Sequence, residues 1–92
     1  MKRYYTIRME GQSVRFTPEG DVAVVDAIQA LSGSDRAGFI WQNLRKSHPN
    51  LDSRCHDYSF RKNAATRVVD NEGWEQIEEA LIDYIVDKGL PA

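Results

Sequence analysis
The chain has a single cysteine, Cys55, so no internal disulfide can form and a disulfide-stapled scaffold is excluded. No apolar run approaches the ~20 residues that a membrane-spanning helix needs. The opening residues, MKRYYTIRME, carry charges but lack the apolar stretch of a secretory signal. A soluble, cytoplasmic protein with no membrane partner is expected. Catalytic signatures are missing too: there is no G-x-S-x-G, no phosphate-binding glycine loop and no dinucleotide fingerprint. His48, Cys55 and His56 lie close in sequence, but without a paired cysteine or a zinc-finger spacing they predict no metal site, and no cofactor is expected. Cys55 and His56 are neighbours, which in a strand points them to opposite faces and separates any nucleophile from its base. Glu75 and Glu79, at i and i+4 on a helix, read as exposed surface. No enzymatic activity and no small-molecule substrate are expected.

What is present is enough for one small domain. The 92 residues include two Trp, three Phe and four Tyr, which can fill a modest core. A core of that size leaves much apolar area exposed, so a homodimer is a natural further source of stability. Net charge is −2, but it is unevenly spread. Residues 1–33 balance to zero. Residues 34–67 hold seven basic side chains against three acidic, and residues 68–92 hold seven acidic against one basic. Such polarity would let a polyanion approach one face while the other repels it.

Tyr4 to Met9 alternates Tyr5, Ile7 and Met9, and Ser13 to Thr17 returns with Val14 and Phe16, which predicts a hairpin about Glu10-Gly11-Gln12. Thr17-Pro18-Glu19-Gly20-Asp21 is a second turn. Val22-Ala23-Val24 reads as a short strand. A helix from about Val25 follows, started by the near-capping-box spacing of Asp26 and Gln29, with Val25, Ile28 and Leu31 facing the core. Gly33 stops it, and Ser34 caps the next helix. That second helix, 34–47, places Ala37, Ile40, Trp41 and Leu44 at i, i+3, i+4 and i+7. Pro49 ends it. Asn50 to Asp57 reads as a polar loop, Tyr58 to Arg61 and Thr66 to Val69 as paired strands about a glycine-free turn. The last helix is capped by Asp70 or Asn71, carries Trp74, Ile77, Leu81, Tyr84 and Ile85 on one stripe that seals the core with Trp74, and stops at Gly89 and Pro91. The sum is an α+β fold: a small antiparallel sheet of hairpins packed with three helices, in the order hairpin–helix–helix–hairpin–helix, as one domain over residues 1–92.

The 34–47 helix and the basic segment after it are the candidate site. Arg36, Gln42, Asn43, Arg45 and Lys46 lie off the apolar stripe, and Arg54, Arg61 and Lys62 follow on the loop and hairpin. These side chains suit phosphates and base edges. Arg36 and Asn43, two turns apart on one side, are the candidates for base edges. Two helices joined by three residues also have the outline of a helix-turn-helix. The same pattern describes an ordinary amphipathic helix with a solvated polar face. A rival reading places function on the acidic 71–87 helix, as a protein-interaction or dimerisation module without nucleic acid.

Two stretches resemble a known family. Glu19-Gly20-Asp21-Val22-Ala23-Val24-Val25-Asp26-Ala27-Ile28, followed by Phe39 and Trp41, is similar to the start of KilA-N domains. Val68-Val69-Asp70-Asn71-Glu72-Gly73-Trp74-Glu75-Gln76-Ile77 looks like a later segment of the related Bro-N domains. The resemblance implies a DNA-binding module of phage, viral or bacterial mobile-element proteins, a small regulator or accessory protein. Its duplex contact would come from the 34–47 helix and the hairpin.

Overall fold
In the computed structural model, the backbone is described for residues 5–9 and 12–88 and side chains for residues 12–87. Two antiparallel hairpins are joined through a strand of two residues. Strand β1 (Tyr5–Met9) pairs with β2 (Gln12–Phe16), from Tyr5 opposite Phe16 to Met9 opposite Gln12. The turn about Glu10-Gly11, the facing of Tyr5, Ile7 and Met9, and the stop at Gly89 and Pro91 lie outside what is described.

The turn after β2 closes on Thr17, which is fully buried. Its oxygen atoms accept the N–H groups of Gly20 (2.9 Å) and Asp21 (3.0 Å), and its own N–H donates to the Asp21 carbonyl (2.8 Å). Gly20 supplies the left-handed φ of +94° that this closure requires. Strand β3 (Val22–Ala23) follows, and the chain turns directly into helix α1 (Val24–Ser32).

Helix α1 therefore starts one residue earlier than its sequence signals suggest, and Asp26 does not cap it: Ala23 is the cap residue, with no side-chain bond. Asp26 reaches across to β2 instead. Its carboxylate accepts the Arg15 backbone N–H (3.1 Å) and both arms of the guanidinium, Nε at 2.8 Å and Nη2 at 3.1 Å. The physical reason is the brevity of β3. Phe16 pairs with Val22, and the chain turns into α1 at Val24, which carries Asp26 up against β2. Val24, Ala27, Ile28 and Ala30 are buried, Val25 is half-buried, and Leu31 is 42 % exposed rather than in the core.

Gly33, at φ +68°, ends α1 and donates its N–H to the Gln29 carbonyl at 2.9 Å. The connection to α2 (Ala37–Ser47) is one residue longer than expected, because Ser34 is not the cap: its hydroxyl accepts the Arg36 N–H at 3.1 Å in a local turn, and Arg36 occupies the cap position. The stripe of Ala37, Ile40, Trp41 and Leu44 is buried as its spacing predicts. Pro49 does more than end α2. It sits in the first turn of a short helix α3 (Pro49–Ser53), where its missing N–H costs nothing, and Leu51 anchors that turn in the core. The expected loop at 50–57 is thus partly helical, and the described residues form four helices.

Strands β4 (His56–Arg61) and β5 (Ala64–Val69) are longer than expected, leaving only Lys62 and Asn63 in the turn. Asn63 takes φ +65°, the place a glycine would commonly hold. Helix α4 (Asn71–Lys88) packs Ile77, Ala80 and Leu81 into the core, with Trp74, Tyr84 and Ile85 half-buried against it. The sheet order is β1-β2-β3-β5-β4. Both β2 and β5 run toward their pairing with Val22, so they lie parallel on either side of β3. Between them lies a cleft of about 470 Å³ lined by Ser13, Arg15, Asp26, Phe60, Arg61 and Ala64.

Candidate nucleic-acid interface
The basic segment divides into cations that brace the fold and cations that face outward. Arg45 reaches Asp52 at 3.3 Å, with its guanidinium 5.9 Å from the Trp41 ring. Arg67 binds Asp52 at 3.1 Å and Asp57 at 3.2 Å. Asp52 therefore gathers one arginine from α2 and one from β5 onto α3. Burial works against the Arg67 charge, but Asp52 and then Asp57 more than offset it, so its pKa is raised. Arg54 spans Asp70 (3.2 Å) and Glu72 (3.3 Å) at the start of α4.

Arg36, Lys46, Arg61 and Lys62 are exposed and have no carboxylate partner among the described residues. Arg61 and Lys62 stand at the tip of the β4–β5 hairpin. Lys46 lies in the last turn of α2, where a cation also suits the helix dipole. Arg36 stacks over the Phe39 ring at 5.1 Å.

The outward face of α2 follows from its buried stripe. With 37, 40, 41 and 44 turned inward, the exposed line is Gly38, Phe39, Gln42 and Lys46. A side chain at Gly38 would meet nothing within 4 Å, so the helix backbone lies bare there. Asn43 is placed differently. It is half-buried and its amide donates to the Tyr84 hydroxyl at 3.3 Å, which ties α2 to α4. Arg36 precedes the helix and is engaged with Phe39. The structure thus brings Gln42 and Lys46 together on the open face, with Arg45 at its edge, and sets Asn43 and Arg54 into structural contacts.

Phe39 and Gly38 are the members of this face that a search for charged and amide groups passes over. The signal was available, since the stripe spacing that buries Ile40 and Trp41 leaves Phe39 outside.

Cys55 lies just after α3. Its thiol is half-buried, donates to the Leu51 carbonyl at 3.4 Å, and has its pKa pushed up to about 11, by burial first and the nearby Asp52 charge second. Among the described residues no three His, Cys, Asp or Glu side chains are grouped as metal ligands, and no helix is long and apolar enough to cross a membrane. No family, curated protein or solved structure matches the chain.

Proposed function
We propose that the chain is a small DNA-binding domain that sets the outward face of α2 against a duplex. Gln42 and Lys46 would meet base edges and phosphate there, while Arg61 and Lys62 would hold the backbone from the hairpin tip. The observation that carries this reading is the division of the cations. Three arginines are consumed by structural ion pairs, yet the exposed line of α2 still presents an amide and a free lysine beside a bare backbone at Gly38. The amide of Gln can pair bidentately with adenine, and lysine is a general phosphate contact. Because the sequence resembles KilA-N and Bro-N domains, we assign the role of a regulator or mobile-element accessory protein.

Fluorescence anisotropy on a labelled duplex, titrated across salt, tests the proposal. Four outward cations neutralising four phosphates give a log–log slope of about −3.6. Lys46→Glu with Lys62→Glu should flatten that slope by about half. Binding that is insensitive to both changes would overturn the assignment of the surface.

A second reading is supported by α4, whose Ile82 (55 %) and Val86 (75 %) are exposed beside Glu75, Glu79 and Asp83. Exposed aliphatics within an acidic field suit a protein contact. An absence of DNA binding even at low salt would favour this reading.

A further inference from the structure
Leu31 breaks its own pattern. It follows Ala27 and Ile28 at helical spacing, and both are buried, yet Leu31 is 42 % exposed. It edges a groove of about 210 Å³ where β2, α1 and the start of α4 meet. Val14, Phe16, Val22, Leu31 and Trp74 line that groove together with the carboxylate-bearing Glu78. Elsewhere on the surface, Phe39 is 56 % exposed with the Arg36 guanidinium over its ring. Phe39 is not among the residues that line the groove of its own chain.

We propose that this groove receives Phe39 and Arg36 from a second copy of the chain. The groove is apolar and of a size to take one aromatic ring, and Arg36, carried on that ring, arrives beside Glu78. Charge decides the pairing. α4 against α4 sets Glu75, Glu79 and Asp83 opposite one another, and α2 against α2 sets Arg36 against Arg36. Only the unlike pairing brings the cation to the carboxylates. The contact is heterologous, one patch of one copy against a different patch of the next, so it propagates head to tail or closes by mutual exchange. One ring and one ion pair make a weak contact, populated at high protein concentration and loosened by salt. Phe39 adjoins Gln42 on α2, so a docked copy would cover the surface proposed for DNA. Self-association is measured without DNA and does not depend on that proposal.

Sedimentation velocity of the full chain, from micromolar to near-millimolar concentration, is the test. Phe39→Asp breaks the inserted ring and Leu31→Arg blocks the groove. Both positions are exposed, and circular dichroism checks that both variants fold. The wild-type mass should rise with concentration, and each variant alone should associate at least tenfold more weakly. A one-to-one mixture of the two should associate again, because one intact ring and one intact groove remain. Arg36→Glu mixed with Glu78→Lys should likewise regain association, which supplies a second route if Leu31→Arg fails to fold. A wild type that stays monomeric throughout, variants that associate like the wild type, or mixtures no more associated than their components would each overturn the proposal.

Discussion

Arg15 and Asp26 show how one short-range event sets a long-range contact. Because β3 is only two residues long, the first turn of α1 comes up against β2, and the Asp26 carboxylate accepts the Arg15 N–H along with the guanidinium. The same guanidinium lies 4.8 Å from the Phe60 ring, so a single arginine joins both hairpins to α1. Asp26→Asn keeps an acceptor but removes the charge. It should cost about 1–2 kcal/mol of stability by urea denaturation, and Asp26→Ala more, because all three of these hydrogen bonds are then lost. Cys55 gives a test of a different kind. A thiol whose pKa is pushed up to about 11 by burial, and then by Asp52, is almost wholly protonated near pH 8. Alkylation by iodoacetamide at that pH should be far slower in the folded chain than in urea, and its rate should keep rising with pH until the raised value is reached. Equal rates would contradict the described burial of the thiol.

At the scale of elements, α4 shows what spacing reveals and what it hides. Its stripe of Ile77 and Leu81 was legible because buried positions recur every three or four residues. Its start was legible because Asp70 is a capping residue: its carboxylate accepts the Gly73 N–H at 2.8 Å. That bond, and secondarily Arg54, lowers the Asp70 pKa. A lowered carboxylate contributes stability above its unfolded pKa and loses it as pH falls through the folded value. Stability should therefore decline as pH drops below the ordinary carboxylate range, and Asp70→Asn should flatten that decline in acid titrations followed by circular dichroism. The need for glycine at position 73 was not legible. A Cβ there would run into Val69 Cγ2, a consequence of how closely β5 passes the helix. Gly73→Ala should cost about 1–3 kcal/mol in thermal or urea unfolding despite the better helix propensity of alanine.

The missed elements share a cause. Helix α3 was hidden because proline marks both helix ends and helix beginnings, and only the burial of Leu51 decides between them. Asp26 was misread as a local cap because its true partner is eleven residues away. Asn43 looked like an open amide because the sequence does not show that α4 returns alongside α2 to offer Tyr84. Periodicity reports which side of an element is inside; it does not report which neighbour waits there.

At the scale of the molecule, the uneven charge along the chain becomes a division between paired and outward-facing side chains. The middle segment spends Arg45, Arg54 and Arg67 on carboxylates and leaves Arg36, Lys46, Arg61 and Lys62 facing outward. Helix α4 turns Glu75, Glu79 and Asp83 to solvent. Polyanions are attracted to the first set of side chains and repelled by the second. Selection of the purified chain on a random duplex library at near-physiological salt, run beside Gln42→Ala and Lys46→Glu, tests the DNA proposal. The wild type should enrich a site, Gln42→Ala should relax the preference at one position, and Lys46→Glu should weaken binding to all sequences alike. Failure of the wild type to retain any duplex, even when the selection is repeated at low salt, would contradict the proposal that α2 is a nucleic-acid surface.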